Sequence, residues 1–511
     1  MTDANLYRLM ENRFPEDRTQ PVIETDTGTV YSYGDLAACC GRFVRQLAAC
    51  GVKPGDRVAI QVDKSPEAAF LFLACLRAGA VILPLNPAYR AREVAYFLED
   101  AAPRLLVCRP GDEATLAPVA RQAGVAQLLT LDTAGGGTLM AESAALDPDA
   151  PCHANEADDL AAILYTSGTT GRSKGAMLTH GNLGCNALTL NRIWGFRPDD
   201  VLLHALPIFH THGLFVATNC TLLSGARMLF LPRFDAAAVV RLLPRATVFM
   251  GVPTYYTRLL AEPGFDRRCC AAMRLFISGS APLLEESFHA FEARTGHTIL
   301  ERYGMTETGM NTSNPLDGAR LPGTVGPPLP EVEARVCDAD GTVLAVGEVG
   351  VLEVRGPNVF AGYWQMPEKT AAEFHEDGFF ITGDLARIDE NGYVSIVGRA
   401  KDMVISGGLN VYPKEIESVL DGLPGVAESA VIGVPHPDFG EAVFAVVQRD
   451  GNGDALAEDA IIAALKNQLA GYKVPKRVAF VDALPRNTMG KIQKNALRER
   501  FKDAFAGAAA G

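Results

Sequence analysis

The chain has 511 residues, of which 48% are hydrophobic and 21% are charged, and its formal net charge is −13 at pH 7. This length exceeds what one hydrophobic core supports, so about two to four domains are expected in an otherwise ordinary globular composition. The acidic balance excludes a basic nucleic-acid footprint, and any site for an anion must supply its own local positive charge.

No segment of the sequence predicts export or membrane insertion. Residues 1–14 carry acidic side chains and contain no apolar core, so we expect no signal peptide. The longest apolar stretch, residues 68–85, is interrupted by Arg77 and Gly79 and does not read as a membrane span. The eleven cysteines include no C-x-x-C pair, which favours reduced thiols over a disulfide framework or a metal site. The sequence therefore predicts a cytoplasmic location, with no membrane or nucleic-acid partner.

An α/β architecture is predicted for most of the chain. Between residue 20 and about residue 320, short β-rich runs alternate with helical stretches. This alternation indicates largely parallel sheets flanked by helices. The clearest predicted strands are residues 58–62, 81–85, 105–109, 246–253 and 275–279.

The pattern changes after residue 330. Across residues 331–398, β-rich runs are separated by the turn signals Asp340-Gly341, Asp377-Gly378 and Asn391-Gly392. Such spacing predicts an antiparallel or β-barrel-like subdomain.

The last part of the chain returns to a compact α+β pattern. A charged run beside glycines suits a hinge at residues 399–402. We therefore predict a large N-terminal domain, residues 1–398, and a small mobile C-terminal domain, residues 403–511. The elements predicted in the small domain are helix 413–421, strands 428–434 and 442–448, helix 457–470 and strand 477–481.

The segment YTSGTTGRSKG, residues 165–175, has a composition suited to binding a polyphosphate such as that of ATP. Its small residues let backbone N–H groups approach an anion, and Lys174 adds a mobile positive charge. The spacing differs from a Walker A loop because Lys174 is followed by Gly175 and not by a hydroxyl residue. The apolar run 160–164 predicts a buried strand, and open α/β sheets bind ligands at strand ends. An exposed turn rich in glycine, serine and threonine is the alternative interpretation.

Five further clusters follow the loop in order. They are PIFHTHG (207–213), ERYGMTET (301–308), TGD (382–384), GRAKDMVISGGLNVYPKEIE (398–417) and PRNTMGKIQK (485–494). Together with the loop, they resemble the acyl-adenylate-forming superfamily of acyl-CoA synthetases, adenylation domains and luciferases. The resemblance covers nearly the whole chain. It implies a ligase in which a carboxylate attacks the α-phosphate of ATP and a thiol then attacks the resulting acyl-adenylate.

The resemblance also implies a nucleotide site. Lys491 corresponds to the catalytic lysine that bridges the carboxylate and the α-phosphate, and a compact mobile ammonium suits that role. Glu307 with Thr306 corresponds to the magnesium and phosphate contact, with Thr166 as a further metal contact. The ATP- and AMP-binding residues implied in this way are Thr166, Ser167, Gly168, Thr169, Thr170, Gly171, Lys174, Ser280, Ala281, Tyr303, Thr306, Asp384, Arg399 and Lys491.

A domain rotation is also implied by the resemblance. Lys401 occupies the family's hinge position, and the rotation withdraws Lys491 and brings Ser406, Gly407 and Gly408 to a thiol tunnel. Coenzyme A is the expected thiol, since no carrier-protein serine motif follows the last cluster. Related enzymes are controlled by acetylation of the catalytic lysine, so a lysine acetyltransferase and deacetylase are implied partners at Lys491.

The acid substrate is predicted from two segments. His210 lies in an H-x-H pair that could bind zinc, but no third ligand follows at a recognisable spacing, and the family places this residue in the wall of the acyl pocket. Arg258 follows a predicted strand on a helix that lines the pocket in relatives, where a second substrate carboxylate could pair with it. The alternative is that Arg258 faces solvent or pairs with Glu262.

The combination of segments most resembles the malonyl-CoA synthetases, including those that accept methylmalonate. Arg258 would then hold the distal carboxylate, and Thr211, Ser278 and Met305 would limit the room around C2. An aryl- or medium-chain acyl-CoA ligase is the alternative enzyme, and a non-catalytic protein with this fold is the alternative class. Discrimination of a single methyl group is too small an effect to predict between malonate and methylmalonate.

Overall fold

The computed structural model describes residues 3–166, 173–406, 409–436, 439–451, 456–469, 471–487 and 490–505. The predicted site residues Ser167, Gly168, Thr169, Thr170, Gly171, Gly407 and Gly408 lie outside these ranges.

The strands of the described residues fall into four sheets. In chain order they are β1 Pro21–Thr25, β2 Val30–Ser32, β3 Arg57–Gln61, β4 Val81–Pro84, β5 Leu105–Cys108, β6 Gln127–Thr130, β7 Leu160–Thr166, β8 Lys174–Thr179, β9 Val201–His204, β10 Arg227–Phe230, β11 Val248–Gly251, β12 Leu275–Ser278, β13 Ile299–Met305, β14 Gly309–Ser313, β15 Glu333–Cys337, β16 Gly350–Arg355, β17 Phe380–Ile388, β18 Val394–Arg399, β19 Val404–Ser406, β20 Leu409–Val411, β21 Val426–His436, β22 Gly440–Arg449 and β23 Arg477–Val481.

Helices connect and cover these strands. The α-helices are α1 Leu6–Glu11, α2 Tyr33–Ala49, α3 Pro66–Arg77, α4 Ala91–Ala101, α5 Glu113–Gln122, α6 Thr138–Ser143, α7 His180–Ile193, α8 Thr218–Leu223, α9 Ala236–Leu242, α10 Pro253–Ala261, α11 Glu285–Thr295, α12 Pro367–Ala372, α13 Pro413–Asp421, α14 Glu458–Lys466 and α15 Lys494–Phe501. A π-helix spans His212–Ala217, and short 3₁₀ turns span Pro110–Asp112, Leu243–Arg245 and Ala400–Asp402. Among the described residues no helix is both long enough and apolar enough to cross a bilayer.

Two parallel-rich sheets form the frame of the N-terminal part. One has the strand order β6-β5-β3-β4-β7-β8, in which the β7–β8 pair is antiparallel. The other has the order β14-β13-β12-β11-β9-β10-β1-β2, with antiparallel pairs at both of its edges. The helices pack against strands whose residues are nearly all buried, as expected for sheets covered on both faces. The predicted α/β class is confirmed.

The β-rich segment and the C-terminal segment each have their own sheet. Strands β15, β16, β17 and β18 pair in that order and are antiparallel throughout, as the turn signals predicted. In the C-terminal segment, α13 and β23 have the predicted bounds, and β21 and β22 are longer than predicted because they pair along a continuous ladder. Helix α14 is shorter than the predicted helix and ends at Lys466, where Asn467 and Gln468 begin a turn.

The hydrophobic clusters divide near residue 400. Three clusters contain residues between Leu6 and Val394, and the largest joins the two parallel-rich sheets to the antiparallel one. Two more contain residues from Val404 onward. The C-terminal segment therefore has a core of its own, and the hinge at residues 399–402 remains a prediction.

A buried ion pair joins the amino ends of three adjacent strands. Asp200 precedes β9 and is 1% exposed. Its carboxylate accepts from Arg274 Nε at 2.7 Å and Nη2 at 2.5 Å, and from Thr247 Oγ1 at 2.7 Å. Burial alone would raise the pKa of Asp200, but these hydrogen bonds hold it below its usual value. The ionised carboxylate therefore stabilises the edge of the sheet opposite the cavity described below.

We expect Asp200→Asn to lower the free energy of unfolding by about 3 kcal/mol at pH 7, because it leaves the Arg274 guanidinium without its counter-charge. The pKa of Asp200 is lower in the folded protein than in the unfolded chain, where it is about 3.9, so the ionised carboxylate stabilises the fold above that pH. This stabilisation is lost as the pH falls through the folded-state pKa. Denaturant unfolding of both proteins at pH 7 and below pH 4 measures this effect. A difference between them that is unchanged below pH 4 would contradict it.

Candidate active site

A cavity of about 1540 Å³ lies at the carboxyl ends of β9, β11, β12 and β13. Ligands of open α/β sheets bind at this edge, because the loops there are free to carry functional side chains. Lys414, Glu417 and Lys491 from the C-terminal segment form part of the wall. The cavity therefore lies between the eight-stranded sheet and the C-terminal segment.

One end of the cavity is built around a buried carboxylate. Asp384 lies on β17, is 3% exposed and accepts from the Tyr303 hydroxyl at 2.5 Å. Arg399 lies opposite Asp384 in the β17–β18 ladder, and its Nε is 2.5 Å from the other carboxylate oxygen. Burial raises the pKa of Tyr303, and the adjacent Asp384 raises it further, so the tyrosine keeps its proton. The structure thus brings together Tyr303, Asp384 and Arg399, three of the residues that the resemblance implies for binding ATP and AMP.

Ser280 and Ala281 line the same cavity, just beyond the end of β12. Ser280 has a φ of +72°, in the left-handed region that residues other than glycine rarely adopt. Its Oγ lies 3.3 Å from His212 Nδ1. Backbone strain of this kind persists only where the surrounding structure over-determines it, and it is concentrated at functional sites.

The β7–β8 hairpin contributes the second group of predicted residues. Thr166 and Lys174 face each other in the ladder on either side of the loop. The Thr166 hydroxyl donates to Glu307 Oε1 at 3.3 Å. Glu307 is 6% exposed, and burial raises its pKa while the nearby Lys174 opposes that shift. Thr306, the residue before Glu307, is half-buried.

Thr166 and Glu307 are suitable ligands for magnesium. A carboxylate and a hydroxyl oxygen lie in hydrogen-bond contact, and Mg²⁺ prefers oxygen ligands while it retains several waters and binds substrate phosphates. Burial makes an ionised Glu307 costly unless a cation lies nearby, and Lys174 alone does not remove the upward shift of its pKa. The residues present therefore fit this ion.

Lys491 extends into the cavity from the C-terminal segment. Its backbone N–H donates to the Asn487 side chain at 2.9 Å, and the Asn487 N–H donates to the Lys491 carbonyl at 2.9 Å, which closes a tight turn. The side chain is accessible from the cavity, yet protein surrounds it. This desolvation lowers the pKa of Lys491, Arg399 lowers it further, and Asp384 and Glu307 oppose the shift. The ammonium therefore lies in the electrostatic field of the other predicted site residues.

A third group of side chains has buried polar atoms without hydrogen-bond partners among the described residues. These atoms are Thr211 Oγ1, His212 Nε2, Ser278 Oγ, and Arg302 Nε and Nη2. Buried polar groups in native proteins are nearly always paired, and Arg302 lines the cavity, so its unpaired atoms indicate a polar ligand there. Ser278 and Arg302 lie on the neighbouring strands β12 and β13, and the contact of Ser280 with His212 connects them to the π-helix.

Arg302 is the charged side chain in this group. It is 2% exposed, and burial lowers its pKa to about 10, which leaves it charged at neutral pH. Its guanidinium packs against Gly279, where a Cβ would lie 2.5 Å from Nη1. Sequence reasoning missed this residue, although it lies in the ERYGMTET cluster at the end of an apolar strand. That position in the motif was the signal that could have identified it.

The two histidines are neutral. Burial lowers the pKa of His210 to about 3, and the nearby Lys491 and Arg302 contribute to that shift. Burial also lowers the pKa of His212, with Arg302 as the next cause. His210 therefore lies near both the catalytic lysine candidate and the buried arginine.

Arg258 is placed differently from Arg302. It is exposed on α10, where it lines the cavity. Met305 is half-buried, with its sulfur 3.9 Å from the Tyr303 hydroxyl. Lys401 lies in the 3₁₀ turn between β18 and β19. Ser406 is buried at the end of β19 and pairs with β22.

Comparison with known proteins identifies two family regions in the chain. The AMP-binding enzyme family matches residues 10–364, and the AMP-binding enzyme C-terminal domain matches residues 415–491. The first match alone covers more than half of the chain.

Curated relatives match over nearly the full length. A feruloyl-CoA synthase from an Amycolatopsis species is 38% identical over 93% of this chain and 94% of its own. A malonate–CoA ligase from Arabidopsis thaliana is 34% identical over 93% of this chain and 85% of its own. A sulfoacetate–CoA ligase from Cupriavidus necator is 36% identical over 93% of both chains.

Among solved structures, ATP-bound MatB from Rhodopseudomonas palustris is 56% identical, with a TM-score of 0.96 over 99% of this chain and 100% of its own. This match, the geometry of the cavity and the relatives above all indicate the same class of reaction. The chain belongs to the AMP-binding enzyme family and is an AMP-forming acid–thiol ligase that makes an acyl-CoA through an acyl-adenylate.

Proposed function

We propose that the acid is malonate, with methylmalonate as a further substrate, and that the thiol is coenzyme A. The observation that carries this proposal is the buried Arg302 guanidinium, whose Nε and Nη2 atoms have no partner among the described residues. Leaving a charge buried and unpaired costs several kcal/mol, so the substrate is expected to supply an anion. A carboxylate that accepts from both nitrogen atoms would offset this cost.

The surrounding groups suit a small dicarboxylate. Ser278 and His212 lie near Arg302, Thr211 precedes His212, and each of the three has a buried polar atom without a partner among the described residues. These atoms would offer neutral hydrogen bonds to the distal carboxylate. An alkyl or aryl chain would instead place apolar atoms against these groups and leave them unsatisfied, at about 1–3 kcal/mol for each. The feruloyl-CoA synthase relative shows that overall similarity does not decide the acid.

Arg302 is favoured over Arg258 as the ligand of the distal carboxylate. Arg302 is buried, and its Nε and Nη2 have no partner among the described residues. Its positive charge contributes to the lowered pKa of both His210 and Lys491. Arg258 is exposed, so water already solvates its guanidinium. An interaction with an exposed group contributes less because solvent screens it. Arg258 remains a candidate for a contact at the outer part of the cavity.

The site residues suggest how the first half-reaction proceeds. Lys491 would bring its ammonium between the attacking carboxylate and the α-phosphate and stabilise the charge that develops there. Asp384 would accept hydrogen bonds from the ribose hydroxyls, while Arg399 stays paired with the same carboxylate. Magnesium, held by Glu307 and Thr166, would neutralise charge on the departing pyrophosphate.

The second half-reaction requires Lys491 to leave the cavity. The thiol sulfur then attacks the adenylate carbonyl, AMP departs and the thiol proton is released. Rotation about Lys401 would bring the segment after Ser406 to the same cavity. The whole-chain TM-score of 0.96 to ATP-bound MatB, against 0.85 to the apo form at the same coverage, supports the interpretation that the present arrangement suits adenylation.

A second candidate acid is sulfoacetate. A sulfonate carries the same charge as the distal carboxylate and would also pair with Arg302. One curated relative is a sulfoacetate–CoA ligase at 36% identity, which favours including this acid. Both candidates depend on a second anionic group.

One substrate panel tests the proposal. Pyrophosphate release and coenzyme A consumption are measured with malonate, methylmalonate, sulfoacetate, acetate, octanoate and ferulate. We expect malonate to have the highest kcat/KM. If malonate is no better than acetate, a second anionic group is not recognised and the proposal fails. If ferulate or octanoate is preferred, the chain is an aryl- or medium-chain acyl-CoA ligase.

Arg302→Met is expected to raise the KM for malonate by about 100-fold, since a charge-assisted contact of about 3 kcal/mol is lost. The KM for acetate should change by less than about threefold, because acetate has no distal carboxylate. Arg258→Met is the matched control, with an expected change in the malonate KM of about threefold or less. A larger effect at Arg258 than at Arg302 would reverse the assignment.

Lys491→Ala is expected to slow adenylation by at least about 100-fold, because a preorganised cation is removed from the transition state. Formation of the thioester from supplied malonyl-adenylate should remain close to that of the native enzyme. Rapid-quench assays measure the two steps separately. Equal loss in both steps would contradict the role assigned to Lys491.

A further inference from the structure

A network of four side chains lies beside the predicted phosphate contacts. Lys174 Nζ lies 3.0 Å from Glu373 Oε1. The Tyr363 hydroxyl donates to Glu373 Oε2 at 2.7 Å and lies 3.2 Å from Glu307 Oε1. Glu373 therefore connects Lys174 to Glu307 through one tyrosine. Sequence reasoning assigned no role to Glu373 or Tyr363.

The ammonium of Lys174 is held on two sides. Glu373 fixes it by charge, and the ammonium also lies 3.9 Å from the centroid of the Tyr363 ring. Both members of the ion pair are mostly buried, with side-chain exposures of 13% for Lys174 and 19% for Glu373. An ammonium carries three N–H donors, so these contacts leave donors for a phosphate oxygen.

Glu373 is ionised in this arrangement. Burial alone would raise its pKa, but hydrogen bonds from Lys369, Tyr363 and Lys174 lower it. Lys369 Nζ lies 2.8 Å from the same carboxylate but is 43% exposed, outside the network. The carboxylate thus has one partner at the surface, Lys369, and two that are mostly buried, Lys174 and Tyr363.

The segment that carries Tyr363 is attached to the hairpin that carries Lys174. The Trp364 N–H donates to the Gly175 carbonyl at 2.8 Å, and Tyr363 forms a β-bridge with Ala176. The Tyr363 N–H donates to the Thr370 hydroxyl at 2.9 Å. Backbone hydrogen bonds therefore hold Tyr363 next to the strand that carries Lys174, and Thr370, which accepts from Tyr363, lies on the helix that precedes Glu373.

We propose that Glu373 and Tyr363 are positioning residues for adenylation, which hold the ammonium of Lys174 and the carboxylate of Glu307 where the triphosphate and its magnesium ion bind. This inference rests on the proposed contacts of Lys174 with phosphate and of Glu307 with magnesium. A residue that fixes the direction of a ligating group typically changes affinity by about 10- to 100-fold when it is replaced.

The test is calorimetric titration of ATP with magnesium in the absence of acid and coenzyme A. Glu373→Gln keeps the shape of the side chain and removes its charge, and we expect the Kd for ATP to rise by about 10-fold. Lys369→Met is the matched control, because it removes the exposed partner of the same carboxylate and should change the Kd by less than about twofold. An unchanged Kd in Glu373→Gln overturns the proposal, as does an equal effect in Lys369→Met.

A double-mutant cycle tests whether Glu373 acts through Lys174. If it does, Glu373→Gln should have little effect in a Lys174→Met background, because the group that it positions is absent. Additive losses would overturn the proposal. Tyr363→Phe should raise the magnesium concentration needed for half-maximal ATP binding. No change would contradict the proposed role of Tyr363 as a positioning residue.

A separate measurement distinguishes positioning from a general structural role. In steady-state assays, Glu373→Gln should raise the KM for ATP while leaving the KM for the acid unchanged, even though loss of the charge is expected to lower the melting temperature. An equal rise in both KM values would mean that Glu373 only stabilises the fold. Because the calorimetric titration of ATP contains no acid, its result is independent of whether malonate is the substrate.

Discussion

Positive charge has to be placed close to two anions inside a chain whose net charge is −13, and the architecture of the cavity follows from this constraint. Each cation meets it differently. Arg399 pairs with Asp384, and Lys174 pairs with Glu373. Lys491 comes from the C-terminal segment and remains accessible from the cavity. Of these four cations, Arg302 is the one that is buried without a partner among the described residues. For this reason the proposed acid carries a second anionic group.

Sheet geometry accounts for most of these placements. Asp384 and Arg399 are ladder partners on β17 and β18, and Thr166 and Lys174 are ladder partners on β7 and β8. Since the register of a β-ladder determines which residues are neighbours, each pair is held without any further contact. Lys491 has no such constraint, because its segment has separate hydrophobic clusters and meets the cavity only across an interface. This difference suits fixed groups for binding and a movable group for chemistry.

The amino and carboxyl edges of the eight-stranded sheet have opposite electrostatic arrangements. At the amino edge, Asp200 and Arg274 satisfy each other and the strands beside them. At the carboxyl edge, Ser278 Oγ and Arg302 Nε and Nη2 have no hydrogen-bond partner among the described residues. A buried polar group without a partner is unfavourable for stability, so it persists where a ligand supplies the missing contact. The sheet thus separates the edge that stabilises the fold from the edge that binds.

By itself the sequence determined the α/β class, the antiparallel β-rich segment and the bounds of α13 and β23, because period, turn signals and helix boundaries are local properties of the chain. It also predicted nucleotide-binding residues, through motifs whose members lie close together in sequence. Only the tertiary structure showed that Arg302 is buried without a partner among the described residues while Arg258 is exposed, and that Glu373 pairs with Lys174. Burial and pairing depend on segments far apart in the chain, such as those around residues 174 and 373. No local sequence pattern predicts contacts between such segments.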